Sequence, residues 1–253
     1  MTFKSVGEIA AFPGTNPFTG TCPEHGESTV LIFSFQKNQA WFCSECASVK
    51  VRAEDGARWL RERREAIYRS ATLPEKYLGR TFPATSAAMR TARAQAKAFL
   101  DQLKRERLWA TLIMIGKNGT GKTLLATELA EYMINKMSLT VRYCTANQMV
   151  SEIQASYSTE GKTQEGEILR FANYDVLIID EIDAKPDKEN ANILLTEVIN
   201  RRYNSLRPVI AISNQPLDML HKFVGDRVES RLHENSFVCS FNWPDFRKLP
   251  MKP

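Results

Sequence analysis

The sequence lacks the long apolar runs that a protein needs to cross a membrane. Among its 253 residues there is no stretch of about 18 consecutive apolar side chains, the length that a spanning helix requires. Residues 1–8 also lack the apolar segment of a secretory signal peptide. Cysteine is scarce, with five in the chain, which excludes a disulfide-rich secreted domain. We therefore expect a cytoplasmic protein whose cysteines are thiols or metal ligands.

The chain as a whole has no strong excess of one charge, since its formal net charge is +5. The small excess of basic residues is nevertheless concentrated in one part of the chain. Residues 50–107 contain 15 Lys and Arg against 7 Asp and Glu, whereas residues 1–49 are net acidic. A clustered basic excess is typical of a nucleic-acid contact. Interleaved acids and bases, as at residues 61–65, are equally typical of a solvated helix. Both interpretations stay open.

The order of apolar segments predicts an α/β protein with a small N-terminal module. Residues 1–49 are rich in Gly, Pro, Cys and aromatics, residues 50–72 read as a basic helical linker, and residues 73–253 form the main domain. In that domain, a turn near Pro74 and an alanine-rich helix over 86–108 precede alternating strands and helices. Strands are expected at 111–115, 139–144, 176–180, 209–213 and 237–241, and helices at 122–136, 146–157, 163–172, 189–204 and 216–231. This alternation predicts a three-layer α/β/α fold with a parallel sheet.

A phosphate-binding loop lies between the first of these strands and the first helix after it. Residues 116–123 read Gly-Lys-Asn-Gly-Thr-Gly-Lys-Thr, the G-x-x-x-x-G-K-T pattern in the strand–loop–helix setting that it needs. The glycines let successive N–H groups point at phosphate oxygens, and the helix adds the positive end of its dipole. We expect a nucleoside triphosphate to contact Gly116, Lys117, Asn118, Gly119, Thr120, Gly121, Lys122, Thr123 and Leu124. Lys122 would reach the outer phosphates, and the Thr123 hydroxyl would bind Mg²⁺.

Two acidic residues end the strand expected at 176–180. Asp180 would hold hydrated Mg²⁺ near the phosphates, and Glu181 would polarise the attacking water as a general base. Such a pair could instead cap a helix, but its distance from the phosphate loop favours the catalytic role. Asp183 is expected to be a cap or solvated. Asn214 ends the next strand and could orient the water, although turns favour asparagine anyway.

Together these motifs resemble the AAA+ ATPases, and more closely the DnaC/DnaI-type replicative helicase loaders. The segment Gly-Asp-Arg-Val-Glu-Ser-Arg-Leu at 225–232 and the ending Phe-Val-Cys-Ser-Phe-Asn-Trp-Pro-Asp-Phe-Arg at 237–247 carry the resemblance beyond the ATP-binding motifs. Residues 73–82 resemble the stretch that leads into that family's ATPase core. The similarity covers residues 73–250, and we expect no room after Arg247 for the helical lid of larger AAA+ proteins.

The resemblance implies roles for further residues and indicates partners. Asn214 matches the family's first sensor, Arg231 the arginine finger that acts on a neighbouring subunit's nucleotide, and Arg227 the arginine before it. Both arginines could instead be surface charges. Family members self-associate with ATP and bind a DnaB-type replicative helicase and single-stranded DNA. The candidate DNA contacts are Tyr157, Lys185 and Lys188, of which the tyrosine could instead pack on the core.

A second cluster of functional side chains lies in the N-terminal module. Cys22 and His25 form a C-x₂-H pair, Cys43 and Cys46 form a C-x₂-C pair, and 17 residues separate the pairs. Two such pairs flanking a hairpin, expected at 30–42, supply four ligands for a closed, structural Zn²⁺ site. A segment with so few apolar residues needs such a metal to fold. The other two cysteines that lie in apolar strands are expected to be buried thiols.

Three functions are compatible with these patterns, and the leading one is a helicase loader that hydrolyses ATP at an intersubunit site. Zinc-bearing N-terminal modules occur among DnaI-type loaders, whereas the DnaC branch has a helical region without this pattern. Because the module is net acidic, we expect it to bind the helicase rather than DNA. One alternative is an IstB-like helper ATPase of transposition, against which the zinc pattern and the C-terminal block argue. Another is an adaptor that binds ATP without hydrolysing it, against which Lys122, Asp180 and Glu181 argue.

Overall fold

The computed structural model of the chain describes residues 15–33, 44–105, 109–159, 161–184 and 189–246. The chain divides into two compact units, Met1–Arg63 and Arg64–Pro253. The predicted domain boundaries after residues 49 and 72 stay predictions. No helix in the described ranges is both long enough and apolar enough to cross a membrane.

The first unit contains an antiparallel hairpin. Strand β1 (Thr15–Cys22) pairs with β2 (Gly26–Phe33) over its whole length, with Cys22 opposite Gly26. Gly26 has φ +73°, a conformation that a residue without Cβ adopts at low cost, so the chain reverses there. The turn of this hairpin lies at residues 23–25, where proline suits a turn. The second hairpin, expected at 30–42, lies mostly outside the described residues and stays a prediction. Residues 34–43 lie outside the described part.

The linker helix is longer than the sequence predicted. Helix α1 (Ser44–Ala71) begins at Ser44 rather than near residue 50, so Cys46 lies in its first turn. Every side chain described from residue 54 to residue 66 is exposed. Farther along the helix, Ile67 and Ala71 are buried and belong to the core of the second unit.

The second unit is a parallel sheet covered by helices, which confirms the predicted α/β class. Its helices are α2 (Ala87–Arg105), α3 (Lys122–Met137), α4 (Ala146–Ala155), α5 (Gln164–Asn173), α6 (Glu189–Asn204), α7 (His221–Val224) and α8 (Asp226–His233). Its strands are β3 (Thr111–Gly116), β4 (Val141–Thr145), β5 (Val176–Asp180), β6 (Val209–Ser213) and β7 (Ser236–Phe241). They lie in the order β4-β5-β6-β3-β7, and all four pairings are parallel.

Alternate residues of the buried strands point to opposite faces and build two hydrophobic clusters. Ile178 of β5 faces the cluster that includes α2 and α3, whereas its neighbour Ile179 faces the cluster of α4, α5, α6 and α8. All five side chains of β5 are buried, as expected for a strand covered on both faces. The two clusters make the unit a three-layer α/β/α structure.

The predicted helix over 216–231 was wrong as a single element. A short 3₁₀ turn (Leu217–Met219) precedes α7, and Gly225 separates α7 from α8. Gly225 has φ +80° and ψ 154°, a conformation open to glycine and incompatible with a continuing helix. Apolar periodicity continues through the break, which is why the pattern alone indicated one helix.

One fully buried cation holds the ends of several elements together. Arg202 of α6 is 0% exposed. Its guanidinium donates to the backbone carbonyls of Phe171, Ala172, Tyr174, Asp175 and Pro208, at 2.7–3.2 Å. The first three lie at the C-terminal end of α5, where carbonyls lack partners within the helix. No sequence pattern pointed to this role.

Candidate nucleotide-binding and metal sites

The phosphate loop connects β3 to the start of α3 at Lys122, as the sequence predicted. Gly116 (φ +142°) passes so close to β7 that a Cβ there would lie 2.4 Å from the Phe241 carbonyl oxygen. Gly121 has φ +95° and packs against the Phe82 ring. These conformations turn the loop around a cleft of about 370 Å³. The cleft is lined by Lys76, Tyr77, Arg80, Asn118, Gly119, Thr120, Gly121, Lys122, Thr123, Leu124, Asp180, Glu181, Asn214 and Phe246.

Most of the predicted nucleotide contacts therefore meet in one cleft. Gly116 and Lys117 line an adjacent cavity, which shares Asn118 and Asn214 with the cleft. Inside the cleft, the Lys122 ammonium donates to the Gly116 and Lys117 carbonyls at 2.5 and 2.9 Å. Lys122 is 6% exposed, so its charge is held at the loop rather than in solvent. A phosphate bound there would meet a buried cation and the N-terminus of α3.

The oxygens expected to bind Mg²⁺ are brought together across the cleft. The Thr123 hydroxyl donates to Asp180 Oδ2 at 2.8 Å, although the two residues are far apart in sequence. The Tyr143 hydroxyl donates to the same oxygen at 2.7 Å, and the Glu181 backbone N–H donates to Asp180 Oδ1 at 2.8 Å. A hydroxyl and a carboxylate beside bound phosphates are the hard oxygen ligands that Mg²⁺ prefers, so the residues fit the ion. The contact from Tyr143 was not predicted, and no motif indicates it.

Glu181 and Asn214 lie at the ends of adjacent strands, on the same cleft. Glu181 has φ +51°, a left-handed conformation that is uncommon for a non-glycine residue, and its side chain is exposed. Asp183 is 8% exposed and accepts the Asn214 backbone N–H at 3.1 Å. The expectation that Asp183 is a cap or solvated was therefore wrong. It is buried because the ends of β5 and β6 meet around it, and it fixes Asn214.

The segment after β7 packs against the phosphate loop. The sequence analysis did not predict that this segment belongs to the site. The Trp243 indole N–H donates to the Thr120 carbonyl at 2.8 Å, and the Phe246 backbone N–H donates to the Gly119 carbonyl at 3.0 Å. The Trp243 ring also lies 5.9 Å from the Phe82 ring, centroid to centroid. The C-terminal block that carried the family resemblance was the signal that could have found this contact.

The candidate arginine finger, Arg231, and the arginine before it, Arg227, do not line the cleft of their own chain. Arg231 stacks over the Tyr203 ring at 5.1 Å, and its guanidinium donates to the Arg227 carbonyl at 3.1 Å. Arg227 is exposed, and neither arginine is among the described residues that line the cleft. Arg247 lies outside the described residues.

Of the candidate DNA contacts, one lies in the described part. Tyr157 is 68% exposed, and its hydroxyl is hydrogen-bonded to Gln164. The alternative that Tyr157 packs on the core is therefore wrong. Lys185 and Lys188 lie outside the described residues.

Three of the four predicted zinc ligands converge in the first unit. The ligand atoms of Cys22, His25 and Cys46 all lie within 4.8 Å of one another, with 3.7 Å between the two sulfurs. His25 Nδ1 lies 3.6 Å from Cys22 Sγ and 3.3 Å from Cys46 Sγ. Its other nitrogen, Nε2, lies 3.3 Å from a carboxylate oxygen of Glu45, a contact that fixes the ring with Nδ1 toward the sulfurs. This soft donor set fits Zn²⁺; Cys43 lies outside the described residues.

The remaining cysteines of the described part, Cys144 and Cys239, are buried as predicted. They are 1% and 0% exposed. Burial raises the pKa of both thiols to about 12, which favours their protonated form near neutral pH.

Comparisons with known proteins agree with this geometry. Residues 37–232 match the model of the family described as IstB-like ATP binding protein. The chain is similar to the replicative helicase loader DnaC of Escherichia coli strain K12, with 28% identity over 139 residues, which are 54% of this chain and 56% of that protein. The match thus spans little more than half the length of this relative.

Solved structures of other proteins have a fold similar to that of this chain. The crystal structure of the DnaC helicase loader matches with a TM-score of 0.59 and 19% identity, over 66% of this chain and 99% of that chain. The crystal structure of DnaI matches with a TM-score of 0.57 and 15% identity, over 67% of this chain and 94% of that chain. Because the family model covers well over half of the sequence, the chain belongs to the family of IstB-like ATP-binding proteins, with the AAA+ P-loop fold of the DnaC-type loaders.

Proposed function

We propose that the protein is an ATP-dependent loader of a hexameric replicative DNA helicase onto single-stranded DNA. The observation that carries the proposal is the cleft in which Lys122, the Thr123–Asp180 pair, Glu181 and Asn214 converge. Relatives that share this core are named replicative helicase loaders, so we infer that the nucleotide bound in this cleft would drive helicase loading. The proposed activity places the protein in the cytoplasm of a bacterial cell.

ATP hydrolysis is proposed from the chemistry of the groups that line the cleft. Glu181 would take the proton of the attacking water, an effect typically worth about 10²–10⁴ in rate. Asn214, fixed through its backbone by Asp183, would orient that water. Lys122 would exchange its two carbonyl partners for phosphate oxygens. Mg²⁺, when bound by Thr123 and Asp180, would neutralise the charge that develops on the phosphates.

The site is proposed to be completed by a second copy of the chain. Arg231 does not line the cleft of its own chain. Its proposed role is therefore to contact the nucleotide of a neighbouring copy. An arginine that reaches a transferring phosphate is worth about 10³–10⁵ in rate. ATP would thus promote self-association, and hydrolysis would end it.

The remaining parts of the chain would provide specificity for the helicase and for DNA. The zinc module of residues 1–49 would bind a DnaB-type helicase, the basic linker of residues 50–72 would connect it, and the domain of residues 73–253 would hold ATP and DNA. Support comes from the acidic balance of the module and from the exposed Tyr157, which could stack on a base.

A loading assay tests the proposal directly. Labelled DnaB-type helicase and circular single-stranded DNA are mixed with the full chain, with and without ATP, and DNA-bound helicase is measured after gel filtration. We expect helicase on DNA only when the protein and ATP are both present. Glu181→Gln should still bind helicase and ATP but release neither. The matched control, Glu165→Gln, changes an exposed acid that pairs with Arg201 and should behave as wild type. Absence of helicase binding in either nucleotide state would contradict the proposal.

A mixing experiment tests the intersubunit site. Lys122→Ala removes the buried lysine of the phosphate loop, and Arg231→Ala removes the finger, so each variant alone should hydrolyse ATP at a few per cent of the wild-type rate or less. In a mixture, the intact cleft of one variant meets the intact finger of the other, and part of the activity should return. If the mixture is as inactive as its components, Arg231 does not act in trans.

The match to the IstB-like family model specifically favours a second candidate, a helper ATPase of transposition. The two candidates differ in the DNA that stimulates hydrolysis. Single-stranded DNA should stimulate a loader, whereas duplex DNA and a transposase should stimulate a transposition helper. A protein that binds ATP tightly and shows the same negligible hydrolysis as Glu181→Gln would instead be the non-hydrolysing adaptor.

A further inference from the structure

Tyr143 contacts the carboxylate that we expect to hold Mg²⁺. Its hydroxyl and that of Thr123 both donate to Asp180 Oδ2, at 2.7 and 2.8 Å. The other carboxylate oxygen accepts the Glu181 backbone N–H. A bound metal would take the Thr123 hydroxyl oxygen as a ligand. Among the described residues, Tyr143 would then be the side chain that still donates a hydrogen bond to Asp180 Oδ2. The orientation of Asp180 then depends on the phenol.

The register of the sheet explains why these two side chains meet. Thr145 of β4 is paired with Asp180 of β5, and Tyr143 lies two residues before Thr145. Side chains two residues apart on a strand point to the same face, so the Tyr143 ring extends along the strand toward Asp180. A long side chain is needed to span that distance.

The position of Tyr143 is itself fixed. Among the described strands, β4 lies at the edge of the sheet, so its outer carbonyls have no strand partner in that part of the chain. The Thr72 hydroxyl donates to the Tyr143 carbonyl at 2.6 Å and supplies that partner. The half-buried ring packs against the hydrophobic cluster between the sheet and α3. The hydroxyl is therefore presented from a rigid element.

We propose that Tyr143 is a positioning residue, which holds Asp180 in the orientation that binds the magnesium–nucleotide complex. The inference rests on the ATP and Mg²⁺ site of the proposed function, and it is independent of helicase loading. Partners in the outer shell of a metal site typically change affinity by about 10–100-fold when they are removed.

Tyr143→Phe tests the proposal, because it removes the hydroxyl and keeps the ring. Binding of a fluorescent ATP analogue to the full chain is titrated with Mg²⁺ and repeated in EDTA. We expect unchanged affinity in EDTA and a rise of about 10-fold in the Mg²⁺ concentration that gives half of the maximal enhancement. The control is Tyr68→Phe, which removes a hydroxyl bonded to Asn135 from another half-buried tyrosine of the same cluster. It should leave the Mg²⁺ dependence unchanged.

A double variant tests whether Tyr143 acts through Asp180. In an Asp180→Asn background, Tyr143→Phe should cause no further change in Mg²⁺ dependence. The proposal is overturned if Tyr143→Phe alone leaves the Mg²⁺ dependence as in wild type, or if it causes the same shift without the carboxylate. Because the readout is binding, a wild-type protein that fails to load helicase would refute the proposed function and leave this test intact.

Discussion

The carboxylate of Asp245 lies where a Cβ on Gly119 would have to be placed. An ideal Cβ at Gly119 would lie 1.7 Å from Asp245 Oδ1, well inside van der Waals contact. Gly119 also has φ +75°, and its carbonyl accepts the Phe246 backbone N–H. Glycine is therefore needed at this position for two separate reasons, its backbone conformation and the approach of the segment after β7.

Gly119→Ala should weaken ATP binding and lower stability, because it adds strain and displaces residues 243–246 from the phosphate loop. We expect the dissociation constant for ATP to rise by at least about 10-fold, which is 1.4 kcal/mol. Gly161→Ala is the matched control, since Gly161 has φ +77° but nothing within 4 Å of an added Cβ. It should cost only the strain of the positive φ, about 1 kcal/mol of unfolding free energy, and leave ATP binding unchanged. Equal effects of the two substitutions would show that the contact with Asp245 is unimportant.

Asp183→Ala should reduce ATP hydrolysis more than ATP binding. The substitution leaves the Asn214 backbone N–H without its acceptor, so the side chain that would orient the attacking water loses its anchor. We expect kcat to fall by about 10-fold with little change in the dissociation constant for ATP. Asp218→Ala changes an exposed acid in the turn just beyond Asn214 and should retain wild-type kcat. A kcat unaffected by Asp183→Ala would contradict the role given to Asn214.

The purified protein should contain zinc, held by Cys22, His25, Cys46 and the predicted ligand Cys43. Cys46→Ser should reduce the zinc content, measured by atomic absorption, from about one ion per chain to near zero, because a closed site needs four ligands. The first unit should then lose its protection against proteolysis. Cys144→Ala removes a buried thiol of the second unit and should keep the zinc, whatever it costs in stability. A zinc content that Cys46→Ser does not change would refute the assignment.

Arg202→Lys should destabilise the protein strongly, although it conserves charge. Lysine has fewer donors and lacks the planar fork, so several of the five carbonyls would be left buried without a partner. We expect a loss of about 3 kcal/mol of unfolding free energy by denaturant titration. The neighbouring substitution Arg201→Lys affects an arginine paired with Glu165 and Glu197 at the surface and should cost less than about 1 kcal/mol. Similar losses at the two positions would contradict this account.

The sequence by itself determined the class of the fold and the position of the phosphate loop. Strand β5 was predicted at its observed bounds, Val176–Asp180, and α3 within one residue, because apolar periodicity and glycine spacing are local properties of the chain. The pattern of Cys22, His25 and Cys46 was local too, and the structure brings these ligands together. The prediction from local patterns failed at residues 216–231, where the backbone conformation of Gly225 divides an apolar-periodic segment into separate helices.

Only the tertiary structure decided which side chains support the site. Tyr143 meets Asp180, and Asp183 meets the backbone of Asn214, because the sheet order places β4, β5 and β6 side by side. Asp245 reaches Gly119 because β7 pairs with β3 at the other side of the sheet. These pairs are distant in sequence or lie on different strands, so no spacing rule relates them. Their contacts exist only after the long-range order of the strands is fixed, and that order is a property of the packed core.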